Sequence, residues 1–135
     1  MERYFMKGNS TRKIYQEWFE KAEEDLAVIR AILSEDAPPS AACFHAQQAA
    51  EKFLKALIAY REKSPRKIHD LVRLARLLQD TDRGILDFKT ELALLNRFYI
   101  RTRYPAHIPE FSKKDAKEAA DIAERVGKFV SAQLF

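Results

Sequence analysis

Apolar residues recur at intervals of three and four along most of the chain, a spacing that predicts amphipathic helices. The pattern predicts five helices, at about residues 12–33, 40–61, 68–79, 86–100 and 112–130. Between the first four, the segments SEDAPPS, EKSPRK and DTDRG break the pattern with prolines, a glycine and polar residues. No alternating stretch predicts a strand. We therefore predict an all-α fold, a single up-and-down bundle of five helices with a core like that of a four-helix bundle.

The second predicted helix carries a continuous arc of polar side chains. At about 100° per residue, this arc contains His45, Gln47, Gln48, Glu51, Lys52 and Lys55. Phe44 and Ile58 project from the same arc, and the many alanines of this helix permit close approach of neighbouring helices. We expect the helix to be covered on more than one side, by other helices or by a second subunit. His45, Gln48 and Lys52 then form a polar seam, either inside the bundle or at a dimer contact.

The chain has 135 residues, a length that suits one domain. We predict a flexible N-terminal arm over residues 1–10 and the helical bundle over residues 11–135. Cys43 is the single cysteine and has no partner for an internal disulfide, which favours a reducing, cytoplasmic location. No run of eighteen apolar residues is present, so we expect no membrane span.

The formal net charge is +4, with basic and acidic residues interspersed. This balance is compatible with a nucleotide, an RNA or an acidic protein as partner, but it does not require one. The 3 histidines are dispersed and the 3 glycines cannot form a phosphate-binding loop. We therefore predict no metal and no cofactor. We expect His69, at the start of the third helix, to cap that helix or to pack against the preceding loop.

A cluster of basic residues follows the fourth predicted helix. Asn96, Arg97 and Arg101 lie near its end, and Arg103 comes directly afterwards. Cations are favoured at a helix C-terminus by the helix dipole. An arginine can bind a phosphate, and a histidine such as His107 can exchange a proton with a ribose hydroxyl or a leaving oxygen. The spacing of Arg101 and His107 thus suits phosphodiester cleavage without a metal.

The segment FHAQQAAEKFLKALIAY resembles the signature helix of the HEPN domain (higher eukaryotes and prokaryotes nucleotide-binding). HDLVRLARLL and LLNRFYIRTRYP resemble the third and fourth helices of that family, in the same order. The resemblance extends from about Tyr15 to Val130. It implies a small helical bundle, commonly a homodimer. It also implies a gene neighbour or fused domain of the minimal nucleotidyltransferase type, in a two-component or toxin–antitoxin pair.

Many HEPN proteins are metal-independent ribonucleases with an Arg, about four to six residues and then a His, assembled across a dimer. Arg101 and His107 meet that spacing. Thr102, Ala106 and Pro109 differ from residues common in those enzymes.

In the branch that this chain resembles, the same stretch is expected to bind a nucleotide or a partner. Asn96, Arg97, Arg101 and Arg103 would hold phosphate, and Tyr104 would stack on a base or ribose. A structural interpretation has Tyr99 and Tyr104 packing the bundle end, with the arginines paired to Glu51, Glu91 or Asp87.

Binding of a nucleotide or a nucleotidyltransferase partner is the interpretation we place first. A ribonuclease using Arg101 and His107 is the alternative, and a purely structural interaction module is the second alternative. No DNA partner is expected.

Overall fold

The computed structural model of the chain describes residues 13–64, 67–99 and 110–135. In these residues it contains five α-helices, one 3₁₀ helix and no strand, which confirms the predicted all-α class. The α-helices are α1 (Ile14–Ser34), α2 (Pro39–Tyr60), α3 (Leu71–Arg76), α4 (Lys89–Asn96) and α5 (Lys113–Leu134). The 3₁₀ helix, Arg83–Phe88, leads directly into α4. The predicted arm, residues 1–10, lies outside the described residues.

The three long helices α1, α2 and α5 form the centre of the bundle. α1 and α2 run antiparallel, since Tyr15 near the start of α1 packs edge-on against Tyr60 at the end of α2. α5 lies so close to α2 that a Cβ added at Gly127 would come within 2.8 Å of the Phe53 ring. Alanines and this glycine therefore bring the helix axes together, while buried leucines, isoleucines and Phe53 fill the remaining space.

The prediction that α2 is covered on several sides is confirmed. α2 packs against α1, α3, α4 and α5, and even the polar side chains of Gln47, Glu51 and Lys55 are buried. Cys43 is a buried core residue, and burial raises the pKa of its thiol to about 11. No helix in the described part of the chain is long and apolar enough to cross a membrane.

The third and fourth helices are shorter than their apolar patterns predict. α3 begins only after Asp70, whose side chain accepts hydrogen bonds from the backbone N–H groups of Val72 and Arg73. A capping residue takes a non-helical backbone conformation, so the helix cannot start before it. In contrast, α5 begins where the sequence predicts. Ser112 accepts from the Asp115 backbone at 3.0 Å, and the Asp115 carboxylate accepts from the Ser112 backbone at 2.9 Å.

Candidate functional site

The polar arc of α2 forms two networks of charged and polar side chains, each centred on a buried carboxylate. In the first, the Asp25 carboxylate of α1 contacts His45 Nδ1 at 2.9 Å and Lys52 Nζ at 2.8 Å. Asp25 is buried, so both contacts offset the cost of removing its charge from water. The structure thus places the seam of His45 and Lys52 inside the bundle, between α1 and α2.

The second network surrounds Glu51. Its carboxylate accepts from Lys55 Nζ at 2.8 Å and from Gln47 Nε2 at 3.2 Å, and lies 2.9 Å from His69 Nδ1. Gln48 joins the network by donating to Gln47 Oε1 at 2.7 Å. Glu51 and Lys55 are both buried, so this ion pair is largely shielded from solvent.

His69 belongs to the segment between α2 and α3, which returns along α2. Its backbone oxygen accepts from Gln47 Nε2 at 3.4 Å, and its ring stacks on Tyr99 with centroids 5.0 Å apart and planes 18° apart. The expected capping role belongs instead to Asp70, because the Asp70 carboxylate binds the free N–H groups of α3. His69 does pack, but against Glu51 and Tyr99.

An open cavity of about 360 Å³ lies on the outer side of His69. Its lining residues are Lys67, Ile68, His69, Asp70, Arg73, Asn96 and Tyr99. Lys67 and Arg73 are exposed and have no ion-pair partner within residues 13–64, 67–99 and 110–135. The cavity therefore combines two available cations with a stacked pair of aromatic rings.

Asn96 holds the wall of this cavity together. Its Oδ1 accepts from the Leu71 backbone at 2.9 Å and its Nδ2 donates to Asp70 Oδ1 at 2.9 Å. These bonds fasten the start of α3 to the end of α4. Asn96, predicted to bind phosphate, therefore lines the cavity, but its amide is engaged in the protein's own hydrogen bonds.

Arg97 is exposed at the end of α4 and does not line the cavity. Hydrogen bonds from Ser112 lower the pKa of Asp115, and the positive charge of Arg97 adds to this effect. Arg97 therefore faces the start of α5. Glu51 and Glu91 were predicted partners of the clustered arginines. Glu51 instead binds Lys55 and His69, and Glu91 binds Arg125.

The other predicted site residues, Arg101, Arg103, Tyr104 and His107, lie outside the described residues. Of the helix-two seam, His45 and Lys52 share a partner that the sequence analysis did not identify, Asp25, whereas Gln48 binds Gln47 of the same polar arc.

The sequence analysis did not identify Asp25, Lys67 or Arg73 as site residues. It named His69 but did not predict that His69 lines a cavity. Asp25 had a recognisable signal, because it interrupts the buried stripe of α1 between Ala22 and Ile29. Among the described residues, no group of three His, Cys, Asp or Glu side chains could hold a metal ion.

A comparison with known protein families covers all the helices described above. Residues 15–133 match the model of the HEPN domain. The chain belongs to the HEPN family. Its resemblance to that family, inferred from α2 and the following helices, is thereby confirmed.

Two solved structures are similar over nearly the whole chain. The protein TT1696 from Thermus thermophilus is 29% identical with a TM-score of 0.80, covering 91% of this chain and 100% of that one. ST0689, described as an archaeal HEPN homologue, is 27% identical with a TM-score of 0.67, covering 92% of this chain and 100% of that one. No curated protein matches the chain.

Proposed function

We propose that this HEPN protein binds nucleotides or RNA at the cavity beside His69. The observation that carries the proposal is the presence of two available cations and a stacked aromatic pair around one open cavity. Lys67 and Arg73 would bind phosphate oxygens, for which a guanidinium is well shaped. Tyr99 and His69 would support the base or ribose by stacking and hydrogen bonding.

The side chains, rather than the start of α3, would supply the phosphate contacts. The first N–H groups of α3 are already bound, that of Leu71 by Asn96 and those of Val72 and Arg73 by Asp70. Binding of a phosphate would therefore depend on the cationic side chains. The affinity of the protein for the phosphate should fall as the salt concentration rises.

Arg73 and Arg76 offer a matched test of this proposal. Both are exposed residues of the same short helix, but only Arg73 lines the cavity. We expect Arg73→Ala to weaken binding of ATP or a short labelled RNA about tenfold, the effect of losing one hydrogen bond to a charged group. Calorimetry or fluorescence anisotropy would measure the affinities. Equal effects of Arg73→Ala and Arg76→Ala, or no binding by the wild type, would contradict the proposal.

The second candidate function is metal-independent cleavage of RNA by Arg101 and His107. Family membership and the spacing of these residues in the sequence support it. The wild type, Arg101→Ala and His107→Ala should be incubated with total RNA and with tRNA in excess EDTA. Cleavage that disappears in both variants would establish the nuclease. Intact RNA in all three samples would leave binding as the function.

We further propose that the protein acts as a homodimer with a minimal nucleotidyltransferase as partner, in a two-component or toxin–antitoxin pair. Resemblance to the HEPN family supports this proposal. Light scattering coupled to size exclusion would measure the mass of the protein. Co-expression with a nucleotidyltransferase encoded beside it would test for a stable complex. A monomer that binds neither enzyme nor nucleotide would favour a purely structural interaction module.

A further inference from the structure

Three contacts determine how the His69 ring is oriented. Its backbone is held by Gln47, its ring is stacked on Tyr99, and Nδ1 is held by Glu51 at 2.9 Å. A carboxylate can only accept hydrogen bonds, so Nδ1 must carry the hydrogen of this contact. Nε2 has no hydrogen-bond partner among the described residues. The ring therefore offers Nε2 to a ligand.

Glu51 already has a cationic partner besides His69. Lys55 lies 2.8 Å from the same carboxylate, and both side chains are buried. In the neutral ring with hydrogen on Nδ1, Nε2 carries a lone pair and accepts a hydrogen bond. Glu51 thus selects the tautomer in which Nε2 is an acceptor, much as a buried carboxylate orients the imidazole of a catalytic triad.

Asp70 provides a second acceptor beside His69. Its Oδ1 receives hydrogen bonds from Val72 N at 3.0 Å, Arg73 N at 3.4 Å and Asn96 Nδ2 at 2.9 Å. No described residue donates to Oδ2. Two acceptors from consecutive residues therefore lie on a cavity whose other available groups, Lys67 and Arg73, are cationic donors.

Phosphate oxygens can accept hydrogen bonds from the two cationic side chains, but a phosphate group supplies no hydrogen for His69 Nε2 and Asp70 Oδ2. The ribose of a ribonucleotide carries neighbouring 2′- and 3′-hydroxyl groups, and carboxylate recognition of a ribose hydroxyl is a common device in nucleotide sites. We infer that this cavity is specific for ribonucleotides with a free ribose diol, whose 2′-hydroxyl donates to Nε2 of His69 and whose 3′-hydroxyl donates to Oδ2 of Asp70. The inference rests on the proposed nucleotide-binding function and names the ligand feature that the same site recognises.

Binding of ATP and 2′-deoxy-ATP, measured by calorimetry, tests this specificity. We expect the wild type to bind ATP about five- to tenfold more tightly, the equivalent of one neutral hydrogen bond. In His69→Ala this ratio should fall to about one while ATP still binds through Lys67 and Arg73. In Arg73→Ala both affinities should fall and the ratio should persist.

Glu51→Ala tests whether the carboxylate selects the tautomer. Alanine offers no acceptor for the hydrogen on Nδ1, so that hydrogen is no longer held there and can move to Nε2, which removes the acceptor. We expect this variant, checked for a native circular dichroism spectrum, to lose the preference for ATP. If it fails to fold, His69→Ala alone decides the inference.

The outcomes separate the two proposals. Equal affinity of the wild type for ATP and 2′-deoxy-ATP, together with weaker binding by Arg73→Ala, would overturn the ribose inference and leave the proposed function standing. A preference for ATP that survives in His69→Ala would also overturn it. Failure of both nucleotides to bind would overturn the proposed function and this inference with it.

Discussion

Replacing Arg61 by methionine should destabilise the fold by about 3 kcal/mol. The Asp82 side chain is 0% exposed and lies 3.0 Å from Arg61 Nε and 2.5 Å from Arg61 Nη2. Thr81 Oγ1 donates to it at 2.7 Å. Methionine keeps much of the apolar stem but leaves the buried carboxylate with one neutral donor. Breaking a buried ion pair costs roughly 3–5 kcal/mol, and the 27% exposure of Arg61 places the expected loss at the lower end.

Arg125→Met is the matched control for this substitution. Arg125 also binds two carboxylate oxygens, on Glu91 and Asp121, but its side chain is 42% exposed. Ion pairs in contact with solvent contribute up to about 1 kcal/mol. Urea denaturation at neutral pH, followed by far-ultraviolet circular dichroism, would give the free energy of unfolding of each protein. Equal losses in Arg61→Met and Arg125→Met would refute the reasoning from burial.

The pH dependence of the same pair provides an independent check. Burial alone would raise the pKa of Asp82, but hydrogen bonds from Arg61 and Thr81 outweigh it and lower the pKa below its ordinary value. The ionised carboxylate therefore stabilises the fold above the unfolded pKa of about 3.9. This contribution disappears as the pH falls through the lower folded pKa. The difference in stability between the wild type and Arg61→Met should shrink in acid; a constant difference would contradict this account.

Two further predictions concern α5 and the core. Ser112→Ala should cost about 1 kcal/mol in urea denaturation, because it removes the acceptor for the Asp115 backbone N–H. Ser131→Ala, within the same helix, is the control and should change little; similar losses would argue against the capping role. Cys43 is 0% exposed with a pKa raised to about 11 by burial, so a thiol reagent should label it only in concentrated guanidinium chloride. Rapid labelling of the native protein would show that α2 opens more readily than its packing indicates.

The long helices could be predicted from sequence because local periodicity determines which face of each is buried. α1, α2 and α5 have enough turns for that pattern to be clear, and Ser112 marks the start of α5 by local chemistry. The start of α3 is joined to the end of α4 by one hydrogen bond between Asp70 and Asn96, which are 26 positions apart, and by another from the Leu71 backbone to Asn96. Apolar spacing contains no information about such a bond, so it overestimated the length of both helices.

The candidate site was predictable only in its central part. The polar arc of α2 follows from helix geometry, but its partners come from other segments. Asp25 is 20 positions from His45, and His69 is 18 positions from Glu51. A sequence without the fold cannot pair these residues, because many other charged groups lie at similar separations. Lys67 and Arg73 were missed for the same reason, since only the fold shows that they line one cavity.

α2, which carries Glu51 behind His69, and α3, which carries Arg73 on the cavity wall, differ in how extensively they pack against the rest of the bundle. Because α2 packs against all four other α-helices, its amide hydrogens can exchange with solvent mainly when the whole bundle unfolds. α3 has only 6 residues; Leu71, Leu74 and Ala75 pack it into the core and the hydrogen bonds of Asp70 and Asn96 hold its first turn, so we expect it to open in smaller fluctuations than α2. We therefore expect Glu51 to lie in the slowest-exchanging helix and Arg73 in a segment that can adjust more easily. A movement of α3 would shift Arg73 relative to a ligand and leave the carboxylate that sets the tautomer of His69 in place.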